Sequence, residues 1–155
     1  MKKNPVLYIL IGAPGSGKST WATSLGVPVV SRDKIRFSLL NNNDKYFSKE
    51  TEVFSIFIEK IGDHLLAGKS VIADASHLTK GGRKKLIDRL HYVENFDIIF
   101  VHFKTSLENC LKFNKQRTGL ALVPSDVLTN MYNSMETPCI NEFPNVKKII
   151  EIENK

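Results

Sequence analysis

The amino-acid sequence predicts an α/β fold of three layers, in which helices cover both faces of a central parallel sheet. Apolar segments of strand length alternate along the chain with segments of helical periodicity, a pattern that favours right-handed βαβ units. The runs 6–11 and 98–101 are apolar without interruption, as expected of parallel strands that are buried on both faces. The 155 residues are predicted to form one domain over 1–155 with a substantial core.

A glycine-rich loop after the first strand is the most specific feature of the sequence. The strand Val6–Ile11 leads into GAPGSGKST, which matches the pattern G-x-x-x-x-G-K-[ST], and a helix can continue through 21–25. Glycines let the backbone turn so that successive N–H groups, together with a helix N-terminus, point at phosphate oxygens. The alternative is a tight strand-to-helix turn with an exposed lysine, which would require every motif residue to coincide by chance.

This loop places the sequence among P-loop NTPases and predicts that it binds a nucleoside triphosphate with Mg²⁺. The Lys18 ammonium is expected to contact the β- and γ-phosphates, and the Ser19 hydroxyl is expected to bind Mg²⁺. The residues expected to hold the nucleotide are Gly12, Ala13, Pro14, Gly15, Ser16, Gly17, Lys18, Ser19 and Thr20.

The segments after this loop are predicted to supply two further strands with helices between them. A turn and a short strand fill 26–31, and a helix over 32–40 carries apolar residues at helical spacing. After a turn-rich break, a long amphipathic helix covers 48–66 and a glycine ends it. A strand over 70–74 ends in Asp74, whose carboxylate is predicted to hold Mg²⁺ through its waters; a plain strand-to-loop boundary is the alternative.

The second half of the chain repeats the alternation of helix and strand. A helix is predicted over 79–92, followed by a strand over 97–103. A helix over 106–116 has Ser106 as its N-cap. The last predicted elements are a helix that begins near Pro124 and runs to about Met135, and a strand over 146–152.

The balance of charge favours an anionic partner such as nucleic acid without specifying it. The formal net charge is +6, and the helix over 79–92 concentrates part of it. Such a basic face is usually solvated, although it can also receive a polyanion. Its cations are Lys80, Arg83, Lys84, Lys85 and Arg89.

Composition also limits the class of protein. No apolar run is long enough to cross a membrane, and the N-terminus lacks the pattern of a signal peptide, so we expect a cytoplasmic protein. Cys110 and Cys139 fit no metal-ligand spacing and are expected to be reduced thiols, and the four histidines lack such spacing as well. No feature of the sequence indicates an obligate protein partner.

The carboxyl edge of the predicted sheet is where ligands meet in folds of this class. Asp33, at a helix N-terminus that favours an ionised carboxylate, can orient an acceptor hydroxyl and take its proton, or can be a helix cap. Arg36 lies on the same helix face and is either a ligand or a surface arginine. Arg117 can clamp phosphates or simply end a helix. The side chains expected to meet at this edge are Lys18, Asp33, Asp74 and Arg117.

Several segments together carry a family resemblance. In order, and over nearly the whole chain, they resemble the kinase domain of phage-type polynucleotide 5′-hydroxyl kinases. The resemblance implies an adenylate-kinase-like P-loop fold and ATP-dependent phosphorylation of a DNA or RNA 5′-hydroxyl. The segments are 12–22, 31–36, 72–78 and 117–135, the last containing VPSDVL over 123–128 and MYNSM over 131–135.

The resemblance also implies roles for single residues. Asp33 would be the general base, Arg36 would hold a phosphate of the acceptor, and Arg117 would be a lid arginine on the donor phosphates. Asp74 matches the strand-end aspartate of the family. By role, the candidates are catalytic Lys18, Asp33 and Arg117, substrate-binding Asp33, Arg36 and Asp74, and metal-binding Ser19 and Asp74.

These observations lead to one hypothesis and two alternatives. The hypothesis is a kinase that moves the γ-phosphate of ATP, with Mg²⁺, to the 5′-hydroxyl of a nucleic acid. One alternative is a P-loop kinase of a small hydroxylated metabolite or nucleotide sugar. The other is a nucleotide-dependent switch without transfer activity, which would bind or slowly hydrolyse ATP and label no acceptor.

Overall fold

The computed structural model describes residues 3–153, and its centre is a five-stranded parallel sheet. The strands follow the order β2-β3-β1-β4-β5, and each neighbouring pair is parallel. The predicted parallel sheet is therefore confirmed, with predicted bounds for β1, β4 and β5. The strands are β1 (Val6–Ile11), β2 (Val29–Ser31), β3 (Val71–Asp74), β4 (Asp97–Phe103) and β5 (Val146–Ile152).

Six α-helices connect these strands within the described residues. The hydroxyl of Ser106 accepts a hydrogen bond from the backbone N–H of Asn109 at 3.1 Å, which confirms the predicted N-cap. Within residues 3–153, no helix combines the length and the apolar character needed to span a bilayer. The helices are α1 (Lys18–Ser24), α2 (Arg32–Leu39), α3 (Glu50–Leu66), α4 (Lys80–Arg89), α5 (Leu107–Asn114) and α6 (Ser125–Asn133), with a short 3₁₀ helix at Gly119–Ala121.

Both faces of the sheet are covered, as the uninterrupted apolar strands predict. On one face, alternate residues of β1, β3 and β4 pack against α3 and α4. On the other face, the remaining strand residues pack against Ala22 and Trp21 of α1. A smaller apolar cluster joins α5 to α6 beside the glycine-rich loop. Because all strands run in one direction, their carboxyl ends meet at a single edge of the sheet.

Helix α4 differs from its prediction in length and in the position of one cation. It ends at Arg89 rather than near residue 92, because the chain then turns so that Leu90 and Val93 enter the core. Arg83 does not belong to the solvated face, since it is fully buried and forms an ion pair with Glu142, with Nε to Oε1 at 2.9 Å. Arg83 thus fixes the segment before β5 against α4.

Candidate active site

A cleft of about 450 Å³ opens at the carboxyl edge of the sheet. Its walls come from the glycine-rich loop, the start of α2, the loop after β3 and the start of α6. Of the other loop residues expected to hold the nucleotide, Ser16, Gly17 and Thr20 do not line this cleft, and Gly12 and Ala13 line a neighbouring cavity instead. The sequence-predicted residues that line the cleft are Pro14, Gly15, Lys18, Ser19, Asp33, Arg36, Asp74 and Arg117.

The glycine-rich loop has the backbone conformation that its sequence predicts. Gly15 and Gly17 have φ angles of +82° and +98°, in the region that favours glycine. A Cβ on Gly15 would lie 2.5 Å from the carbonyl oxygen of Cys110, so a side chain has no room there. Gly12 donates its N–H to the carbonyl of Ser76 at 3.1 Å, which ties the loop to the chain after β3. This geometry suits a loop that wraps a phosphate chain.

Lys18 is buried in this loop. Its Nζ donates to the carbonyl oxygens of Gly12 at 2.7 Å and of Ala13 at 3.0 Å. Burial lowers the pKa of Lys18 to about 8, while the charge of Asp74 acts in the opposite direction; Arg117 lowers the pKa and Asp33 raises it. The charges of Asp74, Arg117 and Asp33 thus all act on the Lys18 ammonium. The structure therefore brings together the four side chains that the sequence places at this edge of the sheet.

Ser19 and Asp74 form the pair of oxygens that the sequence predicts for Mg²⁺. The Ser19 hydroxyl donates to Asp74 Oδ2 at 3.0 Å, and Asp74 is buried at the end of β3. Burial raises the pKa of Asp74, an effect that the charge of Lys18 and the Ser19 hydrogen bond partly oppose. A hydroxyl and a carboxylate are ligands that Mg²⁺ accepts, and few protein ligands are usual for this ion beside phosphates and water. The donor set therefore fits Mg²⁺.

Arg36, on α2, lines the same cleft and is buried, with 6% of its surface exposed. It donates to both carboxylate oxygens of Glu50, with Nη2 to Oε2 at 3.0 Å, and its Nη1 contacts Asp33 Oδ1 and the Tyr46 hydroxyl. The surface alternative for Arg36 is wrong, because its guanidinium needs these acceptors to be buried. Four of its five N–H groups donate to acceptors among residues 3–153.

This network fixes Asp33, whose side chain remains 48% exposed. Asp33 Oδ1 accepts from Arg36 and, at 3.2 Å, from the Tyr46 hydroxyl. Within residues 3–153, its Oδ2 receives no hydrogen bond from the protein. The helix cap is Ser31, whose hydroxyl accepts from the Lys34 N–H at 3.2 Å, so the capping alternative for Asp33 is wrong. One oxygen of Asp33 is positioned and the other is available to a ligand.

Arg117 lies in the loop between α5 and α6. The side-chain amide of Asn114 closes this loop, because it donates to the Val123 carbonyl at 2.6 Å and accepts from the Val123 N–H at 3.1 Å. Arg117 lines the cleft, and its Nη1 is 3.5 Å from the Ala121 carbonyl. An apolar wall continues from this point along α6. It consists of Val123, Pro124, Val127 and Met131.

Three site residues escape prediction from the sequence. Glu50 accepts hydrogen bonds from Arg36 and Arg32. Burial alone raises the pKa of Glu50, but the hydrogen bonds and charges of these two arginines lower it by more, so the pKa of Glu50 lies below 4.5. Burial, followed by the charge of Asp33, raises the pKa of Tyr46 to about 12. Phe47 lies beside Tyr46 on the cleft wall. No local pattern marks these residues, since their partners lie on other segments.

His77, one of the four histidines that lack metal-ligand spacing, has a structural role after β3. Its φ of +48° is unusual for a residue with a side chain. Its Nδ1 lies 2.7 Å from the Leu10 carbonyl, which only accepts, so Nδ1 carries the proton. Burial lowers the pKa of His77 to about 4, so the imidazole is neutral at pH 7. His77 therefore helps to hold the loop after β3 against β1.

Two solved structures that are described as kinases share this fold. A candidate kinase from Chloroflexus aurantiacus superposes with a TM-score of 0.76 at 18% identity, over 97% of this chain and 89% of that one. A sugar kinase from Janibacter sp. HTCC2649 superposes with a TM-score of 0.65 at 18% identity, over 97% and 86%. At these identities, the likeness concerns the fold.

A third structure is more similar in sequence. A chain of the Pnkp1/Rnl/Hen1 RNA repair complex is 25% identical, with a TM-score of 0.72, over 86% of this chain and 45% of that chain. The chain described here thus corresponds to less than half of that protein. Residues 7–138 match a family model described as an AAA domain. With its glycine-rich loop and parallel sheet, the chain therefore belongs to the AAA domain family and has a P-loop, kinase-like fold.

Proposed function

We propose that this protein is an ATP-dependent polynucleotide 5′-hydroxyl kinase, which transfers the γ-phosphate of ATP to a DNA or RNA 5′-hydroxyl. One observation carries the proposal: the Asp33 carboxylate lies in the same cleft as Lys18 and the Ser19–Asp74 pair. Transfer to a hydroxyl requires a group that aims the acceptor oxygen beside the phosphate site. A nucleotide switch has no need for a carboxylate that a buried arginine positions.

Asp33 orients the acceptor hydroxyl in this mechanism. The hydroxyl donates to Oδ2, while Arg36 and Tyr46 hold Oδ1 and so fix the carboxylate. As the bond between the acceptor oxygen and the γ-phosphorus forms, the bond from that phosphorus to the β–γ bridging oxygen breaks. The proton passes to Asp33 and ADP is the leaving group.

Cationic side chains stabilise the transferred group. Lys18 and Arg117 both line the cleft and supply positive charge for the oxygens of the phosphoryl group. Mg²⁺, which Ser19 and Asp74 would hold, supplies further neutralisation of phosphate charge when it is bound. Arg36 keeps one N–H group for a phosphate of the acceptor, and its other N–H groups position Asp33 and Glu50.

The acceptor side of the cleft supports a nucleotide rather than a sugar. Phe47 is 53% exposed and lines the cleft beside Tyr46, and the wall formed by α6 adds apolar surface to the same cleft. A nucleobase can stack on such a ring, with about 1–3 kcal/mol for each stacked base. The 25% identical chain of an RNA repair complex and the net charge of +6 support the same acceptor class.

The test incubates γ-labelled ATP and Mg²⁺ with 5′-hydroxyl DNA, 5′-hydroxyl RNA, nucleosides and sugars. We expect label on the polynucleotides. The Asp33→Asn variant should lose transfer by about 10²- to 10⁴-fold, because it removes the proton acceptor, and should keep its affinity for ATP. The matched control is Asp126→Asn, the same change at an exposed position in the first turn of α6, which should transfer at the wild-type rate.

Three results would overturn the proposal. Label on sugars alone would identify a kinase of small metabolites. ATP binding without any labelled acceptor would identify a switch. Loss of ATP binding in Asp33→Asn, with Asp126→Asn unchanged, would show that Asp33 supports the structure of the nucleotide site rather than the transfer step.

A further inference from the structure

Three cationic side chains surround the ring of one aromatic residue outside the cleft. The ring belongs to Phe54 on α3 and is half-buried. The charged groups of Arg32, Arg89 and Lys85 lie 5.1 Å, 5.4 Å and 5.6 Å from its centroid. We call Arg32, Phe54, Lys85 and Arg89 the Phe54 cluster. Its cations come from the start of α2 and from positions one helical turn apart on α4.

The cations of α4 divide into paired and unpaired groups. Arg83 is bound to Glu142, and Lys84 is bound to Asp88 at 2.6 Å. Lys85 and Arg89 are exposed, and no carboxylate of residues 3–153 lies within ion-pair distance of either. Contact with an aromatic ring offsets only part of the repulsion among such like charges. The Phe54 cluster therefore presents net positive charge to solvent.

The Phe54 cluster is continuous with the acceptor side of the cleft. Arg32 lines the cleft and donates to Glu50 Oε2 at 3.0 Å, the same oxygen that accepts from Arg36 Nη2. Arg36 in turn contacts Asp33. A chain that leaves the acceptor side next to Asp33 can thus pass over Arg32 to reach Lys85 and Arg89.

We infer that the Phe54 cluster binds the backbone phosphates of a single-stranded polynucleotide, downstream of the nucleotide that carries the 5′-hydroxyl. This inference rests on the proposed function and adds the path that a longer acceptor takes. Arginine and lysine are the side chains that contact backbone phosphates without regard to base sequence. Cationic groups surround the Phe54 ring, so the ring supports the cations instead of stacking on a base.

The test compares variants that each remove one positive charge from α4. Lys85→Ala and Arg89→Ala should bind a fluorescent single-stranded oligonucleotide more weakly and with a shallower dependence on salt. The slope of log K against log salt should fall by about 0.7 for each lost phosphate contact. If the double variant and the wild type bind equally near 1 M salt, two lost contacts make the double variant bind roughly 20-fold more weakly than the wild type at about 0.1 M salt.

Lys84→Ala is the matched control, because it removes the same charge from the neighbouring position of α4, where Asp88 already pairs with it. Its affinity and salt slope should equal those of the wild type. In the transfer assay, the double variant should have a raised KM for the oligonucleotide and an unchanged KM for a nucleoside 3′-monophosphate, which is too short to reach the Phe54 cluster.

The binding assay needs no phosphoryl transfer, so it separates this inference from the proposed function. Weaker binding in the double variant of a protein that transfers no phosphate would support the Phe54 cluster and overturn the kinase proposal. Equal binding by the double variant, Lys84→Ala and the wild type would overturn the inference, as would a wild type that does not bind the oligonucleotide. Equally tight binding of polyglutamate, with the same loss in the variants, would overturn it in favour of an acidic protein.

Discussion

Glu50 is the residue whose replacement most directly tests the hydrogen-bond network around Asp33 and Arg36. It accepts hydrogen bonds from Arg36 and Arg32, and Arg36 is almost fully buried. The Glu50→Gln substitution preserves size but replaces one accepting oxygen with an NH₂ group that faces the guanidinium donors. Arg36 then keeps Asp33 as its carboxylate partner, with the Tyr46 hydroxyl and at most one neutral oxygen of the new amide as further acceptors.

Loss of one partner of a buried ion pair usually costs about 3–5 kcal/mol. We expect about 3 kcal/mol for Glu50→Gln, since the Glu50 side chain is 25% exposed and Asp33 still contacts Arg36. In a chain of this size, that loss lowers the melting temperature by about 6–12 °C. Transfer to an acceptor should also fall, because Arg36 no longer holds Asp33 in place.

Thermal unfolding monitored by circular dichroism measures this effect, with Glu52→Gln as the control. Glu52 lies on the same first turn of α3 but is exposed, so its substitution should change the free energy of unfolding by less than about 0.5 kcal/mol. Equal melting temperatures for the two variants would refute the reasoning, because Glu50 would then not stabilise buried Arg36.

The same pair of variants gives a dependence on pH with a definite sign. The pKa of Glu50 in the folded protein lies below its ordinary value of 4.5. The stability that Glu50 contributes is therefore fully present above pH 4.5 and is lost as the pH falls through the lower, folded value. The difference in melting temperature between wild type and Glu50→Gln should shrink below pH 4.5. A difference that stays constant into stronger acid would show that Glu50 is not the titrating group.

Two further substitutions test the loop and the support behind α4. Gly15→Ala should fold but lose affinity for ATP, because φ is +82° and the new Cβ would meet the Cys110 carbonyl. Calorimetry measures this affinity, and a wild-type value would contradict the role of the glycine-rich loop in binding phosphates. Arg83→Met should lower the free energy of unfolding in urea by about 3–5 kcal/mol, because it leaves the Glu142 carboxylate buried without its partner. An unchanged midpoint would mean that water already reaches Glu142.

The part of the cleft formed by the glycine-rich loop could be predicted from the sequence, because its residues are adjacent in the chain. The turn of the loop needs glycine at Gly15 and Gly17, and these residues stand beside Lys18 and Ser19 in one short segment. The bounds of β1 and β4 were predictable as well, since parallel strands buried on both faces are almost continuously apolar. Asp74 followed from its place at the end of such a strand, where it meets Ser19.

The part of the cleft around Asp33 and Arg36 could not be predicted to the same extent, because segments distant in sequence form it. Glu50 has the appearance of an ordinary acid in the first turn of a helix, and only the packing of α2 against α3 places it on Arg36. The pairing of the cations of α4 was also not predictable from local sequence. Periodicity places these cations on one helix, but Arg83 is paired because of Glu142, which is remote in sequence, and Lys84 because of Asp88.

Cations near Asp33 differ in whether a carboxylate already pairs with them, and this difference gives them different roles. Glu50 compensates Arg36 and Arg32, so these arginines hold the geometry around Asp33 and have less attraction left for a distant anion. Lys85 and Arg89 have no such partner among residues 3–153, so their charge remains available to attract a polyanion from solution. If the proposed function holds, losing Lys85 or Arg89 should weaken the capture of an acceptor and reduce its salt dependence, whereas losing Glu50 should weaken the fold and the alignment of Asp33. Affinity for a long acceptor and the transfer step are then separable by mutation.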